Sequence, residues 1–95
     1  MGYHVIMKPN IKKKVMRRLT IIEGQIRGLQ RMVVEGQYCV KIIHQSSAAR
    51  RALAGIEDLM LQNHLRTHVV EQMKTGKGER AVDEIMDIYK LSKRR

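Results

Sequence analysis

The sequence contains no Trp and no Phe, and three Tyr make up its aromatic content. Recognition of single strands or of RNA by stacked bases normally needs several exposed rings, so the composition argues against both. A membrane-surface helix normally uses Trp or Phe as well, and no run of 18 or more apolar residues is present to span a bilayer. We therefore expect no membrane partner and, without a signal-peptide pattern, a cytoplasmic location.

Cysteine is equally scarce, since Cys39 is the single one. It cannot form an internal disulfide, and a lone thiol is usually a small buried residue, less often a ligand or a nucleophile. The chain of 95 residues is also short. One domain of this size buries only about 60–65% of its unfolded surface, so oligomerisation is expected. We predict a single domain over residues 1–95, with residues 1–8 as a flexible arm.

Basic side chains are abundant: 19 Lys and Arg against nine Asp and Glu give a formal net charge of +10. Residues 1–35 contain eight of the basic residues and two acidic ones, which gives +6 there. A polyanion is the expected partner, and double-stranded DNA held through its phosphates fits best, although a merely solvated basic surface is the alternative. No helix-turn-helix pattern is visible, so a basic face would contact DNA. The candidate DNA-binding residues are Lys14, Arg17, Arg18, Arg50 and Arg51.

The hydrophobic spacing predicts an all-α protein with three helices. The first begins near Pro9–Asn10, a proline and a capping residue, and stops near Gly36. A second spans residues 38–73, and a third spans residues 79–91 after the break at residues 75–78. Two apolar stripes have four-three spacing typical of helical bundles. They are Ile11, Val15, Leu19, Ile22, Ile26, Leu29 and Val33 in the first helix, and Ile42, Ser46, Ala49, Leu53, Ile56 and Met60 in the second.

Small residues mark predicted close contacts between helices. Gly24 and Gly28 lie inside the first helix, where glycine costs about 1 kcal/mol against alanine unless another helix packs closely. The middle of the second helix, residues 46–55, is rich in Ser, Ala and Gly. That helix would be roughly 50 Å long, too long for a compact monomer of this size.

His64 and His68 are four residues apart, so on a helix both imidazoles project from one face and can share a metal. Such pairs also occur by chance. Cys39 precedes His64 by 25 residues, which is about 37 Å along a helix, so the two cannot meet within one chain. An antiparallel dimer with its two-fold axis near Ala52–Leu53 would bring Cys39 of one chain beside both histidines of the other. An isologous interface of this kind would contain two equivalent metal sites.

One thiolate and two imidazoles suit Cu(I), zinc, nickel or cobalt and do not suit Ca²⁺ or Mg²⁺. The same three residues could support Cys–His nucleophilic catalysis. That enzymatic alternative lacks a recognisable orienting group and pocket-forming segments, so we expect no enzyme.

With these residues the chain resembles the copper-sensitive operon repressor family of bacteria, which also includes nickel/cobalt and formaldehyde sensors. The resemblance covers essentially the whole chain. It rests on Arg17-Arg18-Leu19 and Glu23-Gly24-Gln25-Ile26-Arg27-Gly28, on Tyr38-Cys39, and on His64-Leu65-Arg66-Thr67-His68.

Membership would imply an antiparallel helical dimer that pairs into a tetramer, an intersubunit metal site, and binding of operator DNA that metal relieves. Copper sensors of this type carry a Tyr before the Cys and a Glu in the third helix that orient the ligands, and Tyr38 and Glu84 match them. The departure is His68, where many copper repressors have a cysteine. Cys-His-His is similar to nickel/cobalt sensors, which add an N-terminal histidine; His4 lies about three residues before that position, which Met7 occupies.

The predicted function is a transcriptional repressor released from operator DNA by Cu(I) at Cys39, His64 and His68. A nickel- or cobalt-responsive repressor is the alternative within the family. A metal-independent architectural DNA-binding protein is the alternative of another class, and a helical scaffold without a nucleic-acid role is a third.

Overall fold

The computed structural model of the protein describes residues 7–93, which contain helices and turns and no strand. The all-helical prediction is therefore confirmed. The elements are α1 (Pro9–Val34), α2 (Cys39–His64), the π-turn (Leu65–Val69), α3 (Val70–Lys74) and α4 (Gly78–Ser92). The predicted second helix therefore comprises α2, the π-turn and α3, and the predicted third helix is α4. His4 and most of the predicted arm lie outside the described residues.

Helix α1 begins at Pro9, whose fixed φ and missing N–H suit the first helical position. The prediction that Asn10 caps this helix is wrong, because Asn10 lies inside it. Lys8 is the N-cap, and its side chain does not make a capping hydrogen bond. Its backbone carbonyl accepts hydrogen bonds from the N–H groups of Ile11 and Lys12, each at 3.0 Å. The start of α1 therefore depends on proline and on backbone bonds.

Both glycine-containing turns end a helix in the same way. Gly36 follows α1 with φ of 67°, and Gly76 follows α3 with φ of 77°. After α1, the N–H of Gln37 donates to the Met32 carbonyl at 2.9 Å, as in a Schellman motif. A left-handed backbone residue is needed at this position, and glycine adopts it without a steric penalty.

The described residues form two compact units, residues 7–61 and residues 62–93. The first contains α1 and most of α2, and its core consists of Val15, Ile22 and Ile56. These come from the two predicted stripes, so the stripes identify the core correctly. Partly buried side chains pack against that core, and they are Ile11, Ala52, Leu59 and Met60.

Other members of the α1 stripe are exposed in the single chain. Leu19, Ile26 and Val33 have exposed fractions of 39%, 45% and 63%. A methyl group at Gly28 would have no neighbour within 4 Å, and one at Gly24 would approach only an Arg27 side-chain atom. The close contacts predicted at these glycines are therefore not made within the chain.

The second unit contains α3 and α4. Ala81 of α4 is completely buried. A methyl group at Gly78 would lie 3.1 Å from the Met73 sulfur, so the turn between these helices is tightly packed. Within residues 7–93, no helix has both the length and the apolar character needed to cross a lipid bilayer.

Candidate metal centre

Cys39 is the first residue of α2, and its side chain is exposed. The backbone carbonyl of the preceding residue, Tyr38, accepts hydrogen bonds from the N–H groups of Lys41 at 2.9 Å and Ile42 at 3.3 Å. The Tyr38 residue is 71% exposed. The thiol therefore lies at the start of a long helix, open to solvent, beside an exposed tyrosine.

His64 and His68 lie together, as their spacing predicts. Their imidazole rings stack, with centroids 5.1 Å apart and an angle of 19° between the planes. His64 is the last residue of α2, and His68 lies in the π-turn. The structure therefore brings two of the three predicted ligands side by side.

The π-turn itself was not predicted. It occupies Leu65–Val69, and the Thr67 hydroxyl donates to the Asn63 carbonyl at 2.7 Å. Asn63 is buried, with 5% of its surface exposed. Isolated π-turns within helices often occur at functional sites, and this one contains a candidate ligand. No residue type in these five positions distinguishes a π-turn from an ordinary helical turn.

Glu84 of α4 faces His64. One carboxylate oxygen, Oε2, is 4.0 Å from the Nε2 atom of His64. The other, Oε1, accepts a hydrogen bond from the Gln72 side-chain amide at 2.8 Å and lies 3.5 Å from Nε of Arg80. Gln72 and Arg80 were not among the predicted site residues. Their spacing offered a signal, because Gln72 is four residues after His68 and Arg80 is four before Glu84.

The environment of His64 suits a metal ligand. Its Nε2 atom is inaccessible to solvent and has no hydrogen-bond partner. Buried polar atoms are normally satisfied, and the group that faces this one is the Glu84 carboxylate, 4.0 Å away. Because Nε2 faces Glu84, Nδ1 is the nitrogen that remains for a metal. The donor set fits a soft or borderline metal ion, with a carboxylate placed to orient one imidazole.

The structure does not bring the three predicted ligands together within residues 7–93. Cys39 and His64 are the first and last residues of the 26-residue helix α2. Across residues 7–93, no three His, Cys, Asp or Glu side chains are grouped so that they could hold a metal ion.

The five predicted DNA-binding residues are exposed on α1 and α2. Arg18 and Arg51 line one groove of about 300 Å³ with Ile21, Ala52 and Gly55. The Arg51 guanidinium also donates to the Ser47 hydroxyl at 3.2 Å. The structure therefore places two of the candidate residues at a common groove. The other three, Lys14, Arg17 and Arg50, are exposed elsewhere on the same helices.

Comparison with known proteins identifies the family. A family model described as metal-sensitive transcriptional repressor matches residues 11–90. The copper-sensing transcriptional repressor CsoR of Bacillus subtilis is 39% identical over 79 residues, which cover 83% of this chain and 78% of that protein. CsoR of Mycobacterium ulcerans is 33% identical over 81 residues, covering 85% and 69%. The transcriptional repressor RcnR of Salmonella paratyphi B is 30% identical over 77 residues, covering 81% and 86%.

The fold agrees with the sequence. The crystal structure of the copper-sensing repressor CsoR with Cu(I) from Geobacillus thermodenitrificans superposes with a TM-score of 0.84 at 34% identity, covering 95% of this chain and 94% of that one. All these relatives are transcriptional repressors, so the expectation that the protein is not an enzyme is confirmed. By the match of its sequence and of its helices, the chain belongs to the metal-sensitive transcriptional repressor family.

Proposed function

We propose that the protein is a copper-responsive repressor that binds operator DNA when metal-free and leaves it when Cu(I) binds. The observation that carries this proposal is the stacked pair His64 and His68, whose rings are 5.1 Å apart at the opposite end of α2 from the exposed Cys39. A pair of imidazoles with an orienting carboxylate is the core of a metal site, and the thiol provides the third donor.

The third donor comes from a second protomer. In an antiparallel dimer with its axis near Ala52–Leu53, Cys39 of one protomer lies beside His64 and His68 of its partner. The exposed part of the α1 stripe supports such an assembly, because apolar side chains at 39–63% exposure favour burial against another copy. Two dimers then pair into the tetramer expected for this family.

Copper is the metal we propose. Cu(I) accepts three soft or borderline ligands, and several similar proteins are named copper-sensing repressors. Tyr38 next to Cys39 and Glu84 next to His64 are the outer residues expected of a copper sensor. A nickel- or cobalt-responsive repressor is the second candidate, because RcnR is also a relative and His68 replaces the cysteine of many copper repressors. Zinc fits the same donors.

Operator DNA is the partner of the basic surface. The groove lined by Arg18 and Arg51 combines two guanidinium groups, which bind phosphate well. Lys14, Arg17 and Arg50 extend the positive charge over α1 and α2. The first turn of α1 contains no acidic residue, so its positive end is not neutralised locally. These features favour contact with a polyanion.

Metal binding and DNA binding weaken one another through the protein assembly. Cys39 of one protomer and His64 and His68 of its partner would hold the metal, which would link the two protomers, and the linked form would bind DNA less well. By linkage, DNA weakens metal binding by the same factor, typically about 5–150-fold for coupling of this kind.

A fluorescence-anisotropy titration of labelled operator-containing DNA tests the proposal. The protein is first bound to DNA without metal, and Cu(I), Ni²⁺, Co²⁺ and Zn²⁺ are then added in separate titrations. We expect release at the lowest concentration with Cu(I). Release by nickel or cobalt alone would replace copper with the second candidate. DNA binding that no metal changes would instead indicate an architectural DNA-binding protein, and no salt-sensitive binding at all would indicate a helical scaffold.

A further inference from the structure

We propose that Gln72 is a positioning residue for His64 and acts through the carboxylate of Glu84. The Gln72 amide donates to Oε1 of Glu84 at 2.8 Å, and the other oxygen, Oε2, faces Nε2 of His64 at 4.0 Å. Gln72 therefore holds one oxygen of the carboxylate and leaves the other directed at the imidazole. The consequence for metal binding rests on the proposed function, whereas the effect on His64 does not.

The geometry favours this role for Gln72 over Arg80. The Gln72 bond joins α3 to α4 and is partly buried. Arg80 also approaches Oε1 of Glu84, but at 3.5 Å, from one turn earlier on α4 and with a side chain that is 54% exposed. Short, shielded hydrogen bonds fix an orientation better than solvent-exposed ion pairs do. Arg80 therefore supports the carboxylate, and Gln72 determines where it points.

Of the three residues that approach the Glu84 carboxylate, His64 and Gln72 each carry a buried polar atom without a hydrogen-bond partner. These atoms are Nε2 of His64 and Oε1 of Gln72. The 4.0 Å between Nε2 of His64 and Oε2 of Glu84 is too long for a hydrogen bond. A small rotation of the carboxylate, whose other oxygen Gln72 holds, brings the two atoms into hydrogen-bond distance. Once that bond forms, the proton of a neutral His64 lies on Nε2, and Nδ1 has its lone pair available.

The histidine tautomer gives a direct test in the metal-free protein. Protein labelled with ¹⁵N-histidine is examined by NMR at a pH where the imidazoles are neutral. We expect His64 in the parent protein to have its proton mainly on Nε2, and Q72L to give a mixture of tautomers. His44, exposed on α2, is the internal reference. Unchanged His64 signals in Q72L would overturn the proposal.

A matched control and a double substitution sharpen the result. Arg27 makes an exposed contact with Glu23 at 3.8 Å on α1, so R27L removes a side chain paired with a glutamate that adjoins none of the proposed metal ligands, and it should leave the His64 signals unchanged. E84Q should alter His64 at least as much as Q72L. Adding Q72L to E84Q should then change nothing more, because both act through one carboxylate. Additive effects would contradict the proposed route. If Q72L lowers helical content, Q72M, which is unbranched like glutamine, replaces it.

Cu(I) affinity provides the second readout. In competition with a chromophoric Cu(I) chelator, Q72L should bind about tenfold more weakly, the low end of the range for groups that orient a ligating imidazole. The DNA affinity of metal-free Q72L should equal that of the parent protein. If the parent protein binds no Cu(I), the proposed function fails, but the tautomer measurement still decides the role of Gln72.

Discussion

The guanidinium of Arg18 lies directly over Gly55. A Cβ atom placed on Gly55 would be 3.3 Å from the Arg18 Nη1 atom, closer than ordinary van der Waals contact. Both residues line the groove that also contains Arg51. Glycine at position 55 therefore leaves room for the guanidinium at the surface where we propose that DNA binds.

Substitution of Gly55 by alanine should separate stability from DNA binding. Alanine in a helix interior is favoured over glycine by about 0.5–1 kcal/mol, and the end of a flexible arginine moves aside easily, so the free energy of unfolding should rise. DNA affinity should fall, because Arg18 is displaced. Thermal unfolding and anisotropy measure the two effects. G28A is the control: apart from its chain neighbours and the backbone of its own helix, nothing lies within 4 Å of its Cβ position, and DNA affinity should not change. A less stable G55A protein would mean that Arg18 cannot move.

Loss of either groove arginine should weaken DNA binding in a salt-dependent way. R18A or R51A removes a phosphate contact, so affinity should fall for any sequence, and the slope of log affinity against log salt should decrease by about one per lost contact. Arg27 provides a control on α1, because its exposed charge pairs with Glu23, 3.8 Å away, and it does not line the groove. An equal loss in R27A would show that binding depends on overall charge and not on this groove.

Substitution of Cys39 by alanine should abolish the response to metal and preserve DNA binding. The side chain is exposed at the first position of α2, so stability should change by less than about 0.5 kcal/mol. The ultraviolet absorption of a Cu(I) thiolate should disappear, and DNA should stay bound when Cu(I) is added. H44A replaces an exposed histidine of the same helix and should respond to metal normally. Weaker DNA binding by metal-free C39A would instead assign the thiol a structural role.

Two neighbouring isoleucines should differ sharply in their effect on stability. Ile22 is 5% exposed and belongs to the core of the first unit, whereas Ile21 is 55% exposed. I22A leaves a cavity and should cost about 2–4 kcal/mol, and I21A should cost below about 1 kcal/mol. Urea unfolding at several protein concentrations measures both. Equal costs at every concentration would mean that the core is not where the hydrophobic pattern and the structure place it.

Much of the fold follows from the sequence because its signals are local. The four-three spacing around Val15 and Ile22 predicts which residues form the core. Gly36 and Gly76 mark the ends of α1 and α3. The predicted cap at Asn10 is wrong because α1 begins one residue earlier, at Pro9, and the Lys8 carbonyl accepts the first backbone hydrogen bonds.

The site was only partly predictable for a physical reason. The four-residue spacing of His64 and His68 is a property of one helix, and the structure reproduces it as a stacked pair. The bond from Gln72 to Glu84 joins different helices, and no periodicity encodes which side chains meet across a turn. The π-turn is equally hidden, because it changes backbone pairing without a distinctive residue.

Gln72 makes two hydrogen bonds in the α3–α4 hairpin, one from its backbone and one from its side chain. Its backbone carbonyl accepts the N–H of Lys77 at 2.7 Å, and its side chain binds Glu84. Mutation can remove only the side-chain bond, because every residue has the carbonyl. The backbone bond that closes the turn is therefore separate from the side-chain bond to Glu84, so a substitution at position 72 can remove the contact with Glu84 and leave the turn's own hydrogen bond in place.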